Sequence, residues 1–260
     1  MCGGGIMAVV NITFRSEQLK RNTQVCLCLP DSIRMNNRAI SDRKVLWLLH
    51  GLSEDNTSWL SYSNIAYYAM KGDFIVIMPA GDRSMYCDNI NGQNYFKFIA
   101  DELPGYFHQI FGISNEREKN YIAGLSMGGL GAAKIALTYP ERYKAMGSFS
   151  GLLDLSPMKY VLNDEMKNDF PFMLSALDDV KHSPLSPVAL LDKDMHKDLK
   201  MYISSGLQDN LVITSMSFKR RADKLKLDCE LVLKKGRHEW SFWDPQVKHF
   251  CEKIMGCNCE

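Results

Sequence analysis

The stretch YIAGLSMGGLGAAKIAL, Tyr121 to Leu137, sets a serine between two glycines, with an apolar run before it and small residues after it. An apolar run that ends in Gly-x-Ser-x-Gly and passes at once into a helix forces the serine into a tight, strained turn, its hydroxyl raised above the end of a sheet. Gly124 and Gly128 suit such a turn, because a side chain at either position would collide with the turn or with the neighbouring strand. Gly129, Gly131, Ala132 and Ala133 let the following helix lie close to the sheet. The same letters also fit a glycine-rich turn of no chemical consequence. Reading Ser126 as a nucleophile therefore requires a base, an acid that orients it, and an oxyanion site elsewhere in the chain.

Working outward, apolar runs alternate with segments of helical period. VVNITF and QVCLCLP read as an antiparallel pair of strands joined by the polar RSEQLKRNT. KVLWLLH (Lys44 to His50) and DFIVIMP (Asp73 to Pro79) are continuous apolar runs of strand length, which suit strands buried on both faces. NYIAGLS, AMGSFSG, LKMYISSG and CELVLKK complete eight expected strands. Helices are expected at SNIAYYAMKG, at YFKFIADELPGYFHQIF with a kink at Pro104, at MGGLGAAKIALTYP, at ITSMSFKRRADKLKL and at DPQVKHFCEKIM. An antiparallel entry followed by repeated strand-helix units implies an α/β fold, a mostly parallel eight-stranded sheet with helices on both faces. Residues 1–260 read as one domain. Leu152 to Asp198, rich in proline, breaks the rhythm as an excursion that can serve as a small cap, with Phe170, Phe172, Met173 and Leu174 available either to roof the space above Ser126 or to bury the excursion against the sheet.

The base must lie downstream of the serine on a loop at the same sheet edge, in the chain order serine, acid, histidine. His238, in KKGRHEWSFWDPQ, follows the last expected strand and precedes the last helix, where the base belongs. His108, His196 and His249 sit in helical or charged surroundings and read as surface residues. His182 lies in an irregular segment, and His50 ends a strand but precedes the serine. The acid should follow the penultimate strand, and MYISSGLQDN places Asp209 just past its end. A turn-forming or capping role is compatible with that aspartate as well. Asp223 falls mid-helix and Asp228 just before a strand, which makes them weaker candidates. An oxyanion hole needs two backbone N–H donors. Met127, next to the serine, offers one, and Leu52, in HGLSEDNTSW after the third strand, offers the other. Trp59, Trp240 and Trp243 flank these motifs and are candidates to wall the substrate pocket, against the more common fate of core packing.

Composition excludes several classes. Thirty-one Lys and Arg against 30 Asp and Glu leave a formal charge of +1, which points to neither nucleic acid nor anionic lipid. The basic run Lys219, Arg220, Arg221, Lys224 and Lys226 is interleaved with Phe218, Ala222, Leu225 and Leu227 and reads as the solvated face of a helix. No segment approaches the ~20 apolar residues of a membrane span, and the first residues carry no charged leader with an apolar stretch behind it. The eight cysteines are scattered rather than densely spaced, so reduced thiols and a cytoplasmic location are expected. Cys26 and Cys28 alternate in a strand and read as small buried hydrophobes. Cys251, Cys257 and Cys259 lack the spacing and fourth partner of a metal site, and the tail is expected to fray.

The segments LLHGLSEDNTSWL, SMYCDNINGQNYFKFIADELP, YIAGLSMGGLGAAKIAL and GRHEWSFWD together resemble the tributyrin esterase group of the esterase D family of α/β-hydrolases. That group is in turn similar to feruloyl and acetyl-xylan esterases and to S-formylglutathione hydrolases. The resemblance runs from about Met7 to Met255; the leading MCGGGI, the cysteine-rich tail and Cys87 depart from it. It implies an α/β-hydrolase fold and a carboxylesterase of short-chain acyl esters, with Ser126, Asp209 and His238 as triad and no metal or organic cofactor. The partner it implies is a small-molecule ester; the charge balance adds neither nucleic acid nor membrane, and the sequence leaves a homo-oligomer open. An acyltransferase or thioesterase would use the same triad. A non-catalytic binding protein on this fold would be expected to have lost one of its members.

Overall fold

The computed structural model describes residues 7–31, 38–157, 179, 183 and 185–260. Its strands are β1 (Met7–Ser16), β2 (Arg21–Pro30), β3 (Val45–Leu49), β4 (Ile75–Pro79), β5 (Asn120–Leu125), β6 (Ala145–Phe149), β7 (Lys200–Gly206) and β8 (Cys229–Lys234). They form one eight-stranded sheet in the order β1-β2-β4-β3-β5-β6-β7-β8. β2 runs antiparallel to β1 and to β4, and every other neighbour pair is parallel. The helices are α1 (Ser58–Tyr62), α2 (Ile65–Gly72), α3 (Tyr95–Lys97), α4 (Leu103–Phe111), α5 (Met127–Thr138), α6 (Pro187–Leu190), α7 (Val212–Lys224) and α8 (Trp240–His249). This is the α/β-hydrolase architecture, and it makes the C-terminal edge of the parallel strands the place where loops can converge.

Every residue of β3, β4, β5 and β6 is buried, because helices cover both faces. Alternate side chains feed two cores. Val45, Trp47, Leu49, Ile75, Ile77 and Ile122 pack with Leu103, Phe107, Leu130 and Phe218 on one side. Leu46, Leu48, Val76, Met78 and Ala123 pack with Ile65, Ala69, Phe242, Val247 and Phe250 on the other. Helices α4, α5 and α7 therefore cover one face, and α2 and α8 the other.

Several expectations shift in detail. The β1–β2 hairpin is longer than its apolar cores, with polar Ser16 facing Arg21 across a turn confined to residues 17–20. Pro104 lies within one continuous helical run, residues 95–111, directly after a π-helical turn Phe98–Glu102, where the i→i−4 ladder that its missing N–H would break is already widened. The carbonyl it cannot serve, that of Ala100, accepts from Arg142 Nη1 at 2.9 Å. The last helix begins at Trp240, four residues before the expected Asp244, so the loop carrying His238 is short.

The C-terminal tail is not frayed: Cys251, Met255, Cys257 and Cys259 are all buried. Lys44 Nζ donates to the Met255 carbonyl, pinning the tail at the start of β3, and Cys257 N–H donates to the Cys251 carbonyl within it. Cysteine's small apolar side chain makes this burial inexpensive. His196, expected at the surface, is fully buried, with Nε2 on the Leu137 carbonyl at 2.8 Å and Nδ1 accepting Asp192 N–H. The basic face of α7 is as read, with Phe218 and Ala222 turned inward and Lys219 paired to Asp223. Cys26 and Cys28 are buried in β2.

Where the excursion leaves and rejoins the core, Leu152, Leu153 and Leu155 are buried and Val188 N–H donates to the Leu153 carbonyl at 2.9 Å. Phe170, Phe172, Met173, Leu174 and His182 lie outside the described residues. Among the described residues no helix is long and apolar enough to cross a membrane.

Candidate active site

Ser126 occupies the turn between β5 and α5 with φ 52° and ψ −118°, a conformation that costs roughly 1–3 kcal/mol for a non-glycine residue. The turn is held from both sides. Ser126 N–H donates to the Phe149 carbonyl of β6 at 2.9 Å, and its own carbonyl accepts from Leu130. Two glycines make the approach of strand, turn and helix feasible. A Cβ on Gly124 would lie 2.5 Å from the Gly128 carbonyl carbon, and one on Gly128 2.3 Å from the Leu49 carbonyl oxygen. Those neighbours are backbone and cannot move aside. Gly128→Ala is therefore expected to displace the start of α5 from β3 and to lower stability by roughly 2–4 kcal/mol, with activity falling further than stability. A thermal melt and an ester assay at the same temperature check this; an unchanged melting temperature would contradict the packing described.

The serine hydroxyl points to His238. Ser126 Oγ lies 2.9 Å from Nε2, and Nδ1 lies 2.9 Å from Asp209 Oδ2. The Asp209 side chain is fully buried, whereas His238 keeps 37% of its side chain exposed toward the solvent from which a substrate would come. The loops bearing the two residues are laced together. Gln208 N–H donates to the Gly236 carbonyl at 3.0 Å, and Gly236 N–H donates back to Gln208 Oε1 at 2.8 Å. Asp209 also forms the turn that the sequence allowed, its Oδ1 accepting Leu211 N–H at 2.8 Å. Burial pushes its carboxyl upward, but the His238 contact, helped by the Leu211 amide, outweighs this and holds it below the usual carboxylate range. Asp209 is thus an ionised acceptor facing the imidazole.

The start of α5, opened by Met127, packs on the end of β3, which leads into the loop carrying Leu52. The Leu49 and His50 carbonyls are the atoms a Gly128 side chain would strike. Met127 opens α5, where its N–H has no carbonyl a turn earlier to serve. The peptide joining Gly51 to Leu52 is oriented by its neighbours. His50 is buried, and its Nε2 accepts Gly81 N–H at 2.8 Å, which leaves the proton on Nδ1 to be donated to the Gly51 carbonyl at 2.7 Å. Burial lowers the His50 pKa and keeps the ring in that neutral form. The Gly51 carbonyl and the Leu52 N–H belong to one planar trans peptide and point in opposite directions. Holding the carbonyl toward His50 turns the N–H away from it.

The three tryptophans separate. Trp59 is 1% exposed and donates its indole N–H to the Leu49 carbonyl at 3.0 Å, so it is core and does not wall a pocket. Trp243 is buried edge-on to His238, with ring centroids 4.9 Å apart, and braces the imidazole. Only Trp240 stays half-exposed, edge-on to both of the others. A cavity of about 430 Å³ lined by Trp47, His108, Asn120, Arg142 and Tyr143 lies at the N-terminal edge of the strands, a strand's length from Ser126, and belongs to other chemistry or to none.

Sequence reasoning missed two contributors. His50 was set aside by chain order, which excludes it as base but not as a support; the His-Gly pair at the end of an apolar strand was the available signal. Glu54, whose Oε2 accepts Gly51 N–H at 2.8 Å, gave no signal beyond standing in the expected oxyanion loop.

Residues 16–249 match the family described as "Putative esterase". An acetyl esterase of Caldicellulosiruptor saccharolyticus is 27% identical over 259 residues, covering 95% of this chain and 97% of its own. Among solved structures, the fluorophosphonate-binding serine hydrolase F of Staphylococcus aureus superposes with a TM-score of 0.85 at 29% identity, over 96% of this chain and 99% of that one. An S-formylglutathione hydrolase of Staphylococcus aureus gives 0.83 at 30% identity with the same coverage. The chain belongs to this esterase family and is a serine-dependent ester hydrolase.

Proposed function

We propose that the protein is a carboxylesterase that cleaves short-chain acyl esters through an acyl-enzyme formed on Ser126. The observation that carries this reading is the continuous hydrogen-bonded line from Ser126 Oγ through His238 to the buried Asp209, with both links at 2.9 Å. His238 Nε2 takes the serine proton as Oγ attacks the ester carbonyl, and returns it to the leaving alcohol as the tetrahedral intermediate collapses. Asp209 holds the proton-bearing Nδ1 in place and balances the imidazolium that forms. Leu52 and Met127 N–H groups receive the oxyanion, each worth ~3 kcal/mol of barrier. Water then enters and repeats the sequence on the acyl-enzyme.

The short-chain assignment draws on the acetyl esterase that matches this chain over nearly its full length. Each methylene accommodated adds ~0.8 kcal/mol until the site is full. With nitrophenyl esters from acetyl to octanoyl, and with the feruloyl ester, kcat/KM is expected to peak at two to four carbons and then fall sharply. A steady rise to octanoyl would overturn the short-chain assignment and leave the triad untouched. The likeness to an S-formylglutathione hydrolase favours a thioester as the second substrate class. Turnover of a formyl thioester faster than that of acetyl and butyryl oxygen esters would make that reading the primary one.

A further inference from the structure

The oxyanion loop and the loop bearing the base meet at one side chain. Glu54 is half-buried, and its Oε2 accepts the Gly51 N–H at 2.8 Å while its own N–H closes a turn onto the Gly51 carbonyl at 3.3 Å. The Trp240 side chain lies beside the same carboxyl and acts to lower its pKa. Trp240 is the first residue of α8, two beyond His238, and it packs edge-on to Trp243, which in turn packs on the His238 ring. We propose that Glu54 is a positioning residue for the reaction: it fixes the Gly51 amide from one side while His50 fixes the Gly51 carbonyl from the other, and through Trp240 it holds the oxyanion loop in register with the base.

The obvious structural alternative is a turn ahead of α1, and Asp55 already fills that role. Its Oδ1 accepts Thr57 N–H and the Thr57 hydroxyl, both at 2.7 Å, ahead of α1. Glu54 makes no such contact with α1. Burial raises the Glu54 carboxyl above the ordinary range, while the Gly51 amide, the Trp240 contact and the nearby His238 act against that rise. A half-buried carboxylate is a liability unless its oxygens are satisfied. Here the groups that satisfy it belong to the two loops whose spacing decides the rate. Misplacing a donor by ~1 Å can cost about 10²-fold.

The inference rests on the reading that the Leu52 amide receives the oxyanion, and the test separates the two. Glu54→Ala and Glu54→Gln are compared with wild type for kcat and KM on nitrophenyl butyrate, for inhibition by butylboronic acid, whose tetrahedral adduct occupies the same donors, and for melting temperature. Glu54→Ala is expected to lower kcat by about 10- to 100-fold with KM moved less than about 3-fold, and to weaken the boronic acid in parallel. Glu54→Gln keeps a carbonyl for the Gly51 N–H and should recover most of the lost rate. Glu54→Leu, of similar volume but without an acceptor, replaces the alanine variant if that one does not fold. A folded Glu54→Ala or Glu54→Leu within 3-fold of wild type, or a Glu54→Gln as impaired as either, overturns the positioning role while leaving the triad standing. Full activity in Ser126→Ala would instead remove the reading beneath it.

Discussion

Ser126→Ala is expected to abolish ester hydrolysis while leaving the melting temperature within a few degrees of wild type. The residual rate should stand only ~10³ to 10⁴-fold above the uncatalysed reaction, the share that an oxyanion hole and substrate binding retain without a nucleophile. The fold tolerates the change because alanine has the same Cβ at φ 52°, and the turn is held by backbone bonds to Phe149 and Leu130 that do not involve the hydroxyl. What is lost is the Oγ that lies 2.9 Å from His238. The variant should also fail to take up a fluorophosphonate, read as the absence of a mass increment on the intact chain. Turnover near the wild-type level, or covalent labelling that persists in this variant, would remove Ser126 from the mechanism and force a search for another nucleophile.

Such a substitution can be designed from the sequence because the parts that fix the site are those with the strongest local signals. β3, β4 and β5 are buried on both faces, so their sequences are unbroken apolar runs, and the turn after β5 admits only glycine at two positions where backbones nearly touch. The chain order of a parallel sheet then places residues 209 and 238 at the edge where Ser126 stands. Less was legible where a role depends on what lies across space. Trp59, a few residues beyond Leu52 in sequence, turns into the core because the Leu49 carbonyl offers its indole a partner. Glu54 and Asp55 are adjacent acids that look interchangeable, yet one holds Gly51 and the other closes the turn ahead of α1. The tail of alternating cysteines carried no periodicity to announce burial, and it packs because Gly72 and Lys44 make room and supply a donor. His196 was hidden by the charged residues around it, which say nothing about the Leu137 carbonyl it meets.

The proposed acid of the triad is the member whose assignment a conservative change tests most sharply. Asp209→Asn should lower kcat by about 10⁴-fold with little change in KM, because the amide preserves shape and reverses hydrogen-bond polarity. In the wild-type site Oδ1 accepts Leu211 N–H and Oδ2 accepts the His238 Nδ1 proton. Asparagine would keep its carbonyl on Leu211 and turn its NH2 toward His238. Nδ1 then becomes the acceptor, the ring proton moves to Nε2, and the nitrogen facing Ser126 can no longer take a proton. Stability has its own pH signature. Asp209 sits below the usual carboxylate range in the folded chain, so its ionisation contributes stability that is present above the unfolded value, near ~3.9, and is lost as pH falls through the lower folded value. Melting curves of wild type and Asp209→Asn should therefore draw together on acidification below about pH 4 and separate above it. Asp223 and Asp228 serve as controls. Asp223 pairs with Lys219 on the exposed face of α7, and Asp228 precedes β8, at the end of that strand away from His238 by its ~20 Å length. Their asparagine variants should hold at least half of wild-type activity. Severe loss in either one with Asp209→Asn unimpaired would mean that the imidazole is oriented from a different strand end, and the hydrogen bond between Asp209 and His238 would then have no part in the rate.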